Sequence, residues 1–176
     1  MSMSPLLSNY HFMIEIYLIR HGLAGQFGDC EDDSLRPLSA IGVKKTTKVA
    51  QKLKELGLQF DLILTSPYAR SMETAIILQS IGLSETLETI DELKPAGDIE
   101  FVIGQLQSIA DRVESIAVVG HEPDLSRLAA QLIFGQNCEN LVLKKAGIIG
   151  LSAPVDGNLT GRCQLFWLSP PRLLLD

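Results

Sequence analysis

Apolar residues recur along the chain with two different periods. Short runs rich in β-branched side chains fall at residues 14–19 (IEIYLI), 61–65 (DLILT), 86–90 (TLETI), 115–120 (SIAVVG), 147–152 (GIIGLS) and 163–168 (CQLFWL). Several are apolar at nearly every position, as strands covered on both faces tend to be. Between them the period lengthens to that of a helix. Residues 38–57 carry Val43, Ala50, Leu53 and Leu56 as the expected apolar face and close at Gly57, a helix C-terminal signal. Residues 66–82 open with Pro67 near the first turn and close at Gly82. Residues 97–113 start at Asp98, a capping residue, and set Ile99, Val102, Ile103, Leu106, Ile109 and Val113 on one stripe. Residues 122–135 repeat the device, with Asp124 as cap and Gly135 as terminator.

Strand and helix thus alternate as far as residue 135, and two further strands joined through PVDGNLTG predict a closing hairpin. The expected architecture is α/β: a three-layer α/β/α sandwich on a mostly parallel sheet. In such sheets ligands bind beyond the carboxyl ends of the strands. Three of those ends carry unusual polar residues: IRHG after the first strand, TSPYAR after the second and VGHEPD after the fourth. If these strands are neighbours, Arg20, His21, Arg70 and His121 converge on one pocket. Two guanidiniums grip the oxygens of a phosphoryl group with forked hydrogen bonds, and an imidazole between them is able to attack phosphorus. His121 alone also reads as a capping residue at a strand end, and Arg70 alone as a solvated one. An arginine in a first helical turn is badly placed for the helix dipole, however, which favours an anion-binding purpose.

Charge and composition narrow the classes. At 176 residues and 46% hydrophobic, residues 13–176 are expected to form a single domain, after a loose extension over residues 1–12. That extension has no Lys or Arg ahead of its apolar stretch, unlike a secretory signal, and Met13 offers an alternative start. A net charge of -6 provides no overall positive field for nucleic acid or an anionic membrane. No apolar run approaches the roughly 20 residues that span a bilayer. Cys30, Cys138 and Cys163 are too widely spaced for a zinc knuckle or a CxxC pair and read as reduced thiols of a cytoplasmic protein. The acidic stretch GDCEDDS, residues 28–34, reads as a solvated face rather than a metal site. Neither GxGxxG nor a Walker A sequence occurs, so nucleotide-binding readings of the layout fail.

The stretches LIRHGLAG, RPLSAIG, LTSPYARSMETA, ELKPAGD, VVGHEPDLS and WLSPPRL together resemble the histidine phosphatase superfamily, most closely its small SixA-type phosphohistidine phosphatases. The resemblance implies a phosphoglycerate mutase-like fold. It implies that His21 is a nucleophile that becomes transiently phosphorylated, that Arg20 and Arg70 bind the phosphoryl oxygens, and that His121 is a second pocket histidine, expected to be protonated. Arg36 matches a position near the phosphate in SixA-like members; it reads equally as a surface arginine paired with the acidic run before it. No metal and no cofactor is called for.

Members that act on phosphate esters generally use a carboxylic acid to protonate the departing oxygen. The corresponding region here is IDELKPAGD, where Glu92 is the nearest match. Imidazole leaves phosphorus far more easily than an alkoxide, so the lack of a strong acid favours phosphohistidine as substrate. The expected partner is a phosphohistidine-bearing protein such as a histidine phosphotransfer domain. The competing readings are a small-molecule phosphatase that uses Glu92 and a non-catalytic phosphate-binding module.

Overall fold

The structure, a computed structural model, describes residues 13–175. The expected extension over residues 1–12 lies outside the described residues. Ten elements follow in order: β1 (Met13–Arg20), α1 (Ala40–Glu55), β2 (Leu62–Thr65), α2 (Ala69–Ser80), β3 (Leu87–Thr89), α3 (Ile99–Ile109), β4 (Ser115–Gly120), α4 (Asp124–Phe134), β5 (Ile148–Pro154) and β6 (Gln164–Ser169). The strands form one six-stranded sheet in the order β3-β2-β4-β1-β5-β6. The first four run parallel, and β5 and β6 run antiparallel as the expected hairpin.

Alternation along β1 explains why its sequence is apolar throughout. Ile14, Ile16 and Leu18 point to one face, where they meet Val102 and Leu106 of α3 and Leu125, Leu128 and Leu132 of α4. Tyr17 and Ile19 point to the other face and meet Val49, Leu53, Ala75 and Leu78 of α1 and α2. The sheet therefore has a core on each side, and each large aliphatic residue buried there contributes on the order of 1.5–3 kcal/mol. No helix among the described residues is long and apolar enough to cross a membrane.

The expected caps hold at Asp98, whose carboxylate accepts the Phe101 N–H, and at Gly135, whose φ of 68° closes α4. Two details differ. The buried face of α1 is Gly42, Thr46, Val49, Ala50 and Leu53, while Val43 and Leu56 are exposed. Ala50 and Leu53 are buried as expected, while Val43, about 100° around the helix from Gly42, falls outside the buried face. Gly42 faces inward because the loop after β1 crosses α1 there, and a Cβ at Gly42 would collide with the Leu23 carbonyl. Asp124 is the first helical residue of α4 rather than its cap; its carboxylate accepts the Ala96 N–H at 2.8 Å and so ties α4 to the segment leading into α3.

Candidate active site

Because β2, β4 and β1 are adjacent in the sheet, their carboxyl ends open onto one place. Arg20 pairs with Gly120 in the β1–β4 ladder, so the next residues, His21 and His121, leave the sheet side by side with ring centroids 5.2 Å apart. The His21 N–H donates to the Gly120 carbonyl at 3.0 Å, which joins the two strand ends. Gly22 follows where α1 packs tightest: a Cβ there would collide with Thr46 Oγ1. Its N–H donates to Thr74 Oγ1, whose hydroxyl donates to the Arg70 carbonyl, so α2 is fastened to the same turn.

The two imidazoles are oriented differently. His21 Nδ1 lies 2.7 Å from the Gly22 carbonyl, which requires the proton on Nδ1 and leaves the Nε2 lone pair free. His121 Nε2 lies 2.9 Å from Ser66 Oγ and 3.3 Å from Ser71 Oγ. A serine hydroxyl both donates and accepts, so these contacts engage Nε2 in either tautomer, while Nδ1 is buried and has no partner. Tyr68 packs edge-on against the His121 ring at 5.3 Å.

Both arginines are pinned in the same manner. Arg20 Nη1 donates to the Leu143 carbonyl at 2.9 Å, and Arg70 Nη1 to the Asp33 carbonyl at 2.8 Å. Each keeps its Nε buried without an acceptor. Two N–H donors, on Arg20 and Arg70, and one ring nitrogen of His121 thus have no partner among the described residues. An unsatisfied buried donor costs on the order of 1–3 kcal/mol. An oxyanion at these strand ends would meet the full positive charges of both guanidiniums.

Burial pushes His21 down to about 3, and His121, Arg70 and Arg20 add to the effect against the opposing Gly22 hydrogen bond. Burial likewise pushes His121 down to about 3, followed by Arg70, with Asp33 opposing. Both shifts favour the neutral imidazole in the protein by itself at neutral pH, whereas the protonated His121 expected from the sequence concerns the pocket with a phosphoryl group in it. Unfolded imidazoles titrate near 6.5. Between about pH 6.5 and 3 the unfolded chain consequently binds more protons than the folded one, so the neutral histidines contribute stability that is lost as pH falls through that window. Urea midpoints are expected to drop between about pH 7 and about pH 4, and to drop less in the His21→Gln, His121→Gln double variant. An equal drop in that variant would assign the effect to other groups.

Arg36 reaches the site indirectly. Its Nε pairs with Asp33 Oδ1 at 2.8 Å and its Nη1 donates to the Gly25 carbonyl at 2.8 Å, while Asp33 Oδ2 pairs with Arg70 Nη2 at 3.1 Å. Both readings of Arg36 meet here: it pairs with the acidic run, and that run reaches the pocket. Asp33 bridges Arg36 and Arg70, and the Arg36 hydrogen bond, ahead of Arg70, holds its carboxyl below the usual range. Glu92, in a 3-10 turn at Asp91–Leu93, shares the wall of a small cavity with His121 and Asp124 but hydrogen-bonds to none of the pocket groups. Sequence reasoning passed over Asp33, whose stretch read as a solvated face, and Glu122. The Glu122 carboxylate accepts from Ser126 Oγ at 2.6 Å and lies near Arg20; burial raises its pKa. Its position directly after His121 was the available signal.

Comparison with known proteins agrees with this geometry. Residues 16–101 match the family described as the histidine phosphatase superfamily, branch 1. The phosphohistidine phosphatase SixA of Escherichia coli is 31% identical over 128 residues, covering 70% of this chain and 76% of that protein. The chain belongs to the histidine phosphatase superfamily. An uncharacterized protein of Picosynechococcus is 38% identical over 92% of this chain and 99% of its own length. The solved structure of the protein histidine phosphatase SixA complexed with tungstate superposes with a TM-score of 0.80 at 26% identity, covering 92% of this chain and 99% of that one. The fold is phosphoglycerate mutase-like, and the chain is a phosphatase of the SixA type within the superfamily.

Proposed function

We propose that this phosphatase hydrolyses phosphohistidine on a phosphotransfer protein, such as a histidine phosphotransfer domain, through a phosphohistidine formed on His21. The observation that carries the reading is the free Nε2 of His21, whose ring is held by the Gly22 carbonyl with His121 5.2 Å away and Arg20 and Arg70 close enough to act on it. In this scheme Arg20 and Arg70 bind the phosphoryl oxygens, and His121 Nδ1–H donates to one of them. Arg36 acts through Asp33 by fixing Arg70. His21 Nε2 attacks phosphorus, the substrate's P–N bond breaks, and the departing imidazole takes a proton from solvent. Water then attacks the phosphoryl group on His21 and releases inorganic phosphate. Charge around the equatorial oxygens and fixed geometry supply most of what phosphoryl transfer requires.

Exchange of one nitrogen ligand of phosphorus for another needs no strong acid, which agrees with the absence of any Glu92 hydrogen bond to the pocket groups. The free thiols of Cys30, Cys138 and Cys163 fit a reducing compartment, and on this reading the enzyme works in the cytoplasm. The test follows phosphate release from a phosphohistidine-bearing phosphotransfer protein, with p-nitrophenyl phosphate as the ester control, in wild type and Glu92→Gln. Faster turnover of the phosphoprotein, unaffected by Glu92→Gln, is expected. Turnover of the ester alone, with an acidic limb that vanishes in Glu92→Gln, would move the substrate class to small phosphate esters.

A further inference from the structure

Register carries the catalytic end of β1 outward to the edge of the sheet. Ile19 pairs with Ile148 of β5, and Ile148 with Ser169 of β6. The residues after Ser169 thus lie two strand spacings, roughly 10 Å, from the end of β1 where Arg20 and His21 sit. A cleft of about 540 Å³ opens there. Val142, Leu168, Pro170 and Pro171 give it apolar walls; Lys144 and Arg172 are the charged residues that line it, and no carboxylate does. The cleft adjoins the pocket through its own wall, because Leu143, between Val142 and Lys144, is the residue whose carbonyl accepts from the Arg20 guanidinium.

Edge, size and charge say what covers this cleft. β6 ends the sheet and reads QLFWLS, without a charged residue. Edge strands are commonly protected by charged side chains, and β6 leaves Leu165, Phe166 and Leu168 exposed instead. A protein interface of ordinary size covers about 800 Å² of each partner, a patch of roughly 16 Å radius. A protein that presents phosphohistidine to His21 through an interface centred on the pocket therefore covers the cleft as well. The charge at the cleft is opposite in sign to that of the chain, which is -6 overall and carries Asp29, Glu31, Asp32 and Asp33 in the loop after β1. A second copy docked cleft to cleft would set these cations against the same cations, whereas a partner with acidic residues beside apolar ones complements both walls and charges.

We propose that the cleft docks the phosphohistidine-bearing protein through a surface of mixed apolar and acidic residues. The assignment rests on the phosphohistidine reading above and adds to it the chemistry of the partner: aliphatic side chains between the walls, and carboxylates on Lys144 and Arg172. The contact lies outside the reacting atoms and is made in the ground state and the transition state alike. It therefore raises kcat/KM through KM, with kcat little changed, and weakens as salt rises.

Three synthetic peptides test the assignment without the identity of the phosphoprotein. Each carries one phosphohistidine, flanked on both sides from the third residue outward by alternating leucine and glutamate, leucine and lysine, or serine and glycine; three extended residues span roughly 10 Å. In wild type the leucine–glutamate peptide is expected to exceed the serine–glycine peptide in kcat/KM by about tenfold or more, through KM, and the leucine–lysine peptide to gain little. The pair Lys144→Glu, Arg172→Glu is expected to abolish that preference and to leave turnover of the serine–glycine peptide unchanged. The matched pair Lys52→Glu, Arg112→Glu, exposed at the opposite end of the sheet, is expected to change neither. Equal kcat/KM for the three peptides in wild type would overturn the docking assignment and leave the phosphatase reading standing. Equal loss of preference in both charge-reversed pairs would overturn it in favour of overall charge. Loss of serine–glycine turnover in Lys144→Glu, Arg172→Glu would overturn it in favour of support for Arg20 through Leu143. A wild-type dimer in sedimentation that Leu168→Asp dissociates would overturn it in favour of a second copy. Absence of turnover of all three peptides would remove the phosphohistidine reading itself, and the docking assignment with it.

Discussion

His21→Ala is expected to reduce phosphohistidine hydrolysis by at least about 10⁴-fold and to abolish the covalent intermediate. No other group in the pocket is able to replace it. His121 has its Nε2 engaged by Ser66 and Ser71 and its Nδ1 buried, so it presents no accessible lone pair to phosphorus. The two histidines differ in their hydrogen bonds more than in their distance from the sheet. The measurement is a quenched single turnover with radiolabelled phosphoprotein, in which wild type retains acid-labile label and the variant retains none. His21→Ala also leaves a void in a buried position, so a thermal melt alongside establishes that the fold survives. Activity within tenfold of wild type in a folded His21→Ala protein would sink the covalent scheme.

Arg70 carries the second large effect. Loss of its guanidinium removes one oxyanion donor and one full positive charge at the transferring group, and Arg70→Ala is expected to lower kcat by about 10³-fold. Arg70→Lys is expected to recover little of it. The side chain uses Nη1 and Nη2 on the carbonyl and carboxylate of Asp33 and lies over the Tyr68 ring at 4.9 Å, and a single ammonium cannot reproduce that planar, forked arrangement. Steady-state kinetics on both variants decide the matter. Near-wild-type activity in Arg70→Lys would show that charge alone, and not the fork, is what the site requires.

Much of the architecture was legible because β1, β2 and β4 announce themselves twice, by apolar runs and by the polar residues that end them. The convergence of Arg20, His21, Arg70 and His121 followed from strand adjacency, which the parallel register then supplied. Asp33 was not legible for a physical reason. An acidic residue in a loop looks solvated until its partners are known, and those partners, Arg36 and Arg70, lie 3 and 37 residues away. The environment of His121 was illegible on similar grounds, since neither its burial nor the nearby charge of Arg70, which lower its pKa, can be read from the strand-end pattern. On α1 the error was geometric: Gly42 and Thr46 are the inward residues because a loop crosses the helix there, and hydrophobicity carries no record of that crossing.

The pairing of Arg20 with Gly120 has a consequence for how such a site diversifies. Neighbouring strands in a sheet stand about 4.8 Å apart whatever their side chains. The spacing of the two histidines is therefore inherited from sheet geometry, much as the gauge of a track is set by its sleepers. The exposed stretches of the surrounding loops, residues 26–29 and 135–140, make none of the contacts that hold the pocket and are free to lengthen, shorten or change charge without altering that gauge. New recognition surfaces can accumulate on the rim while the reacting distance stays constant, which allows one chemistry to be handed to different phosphorylated molecules by changes confined to its borders.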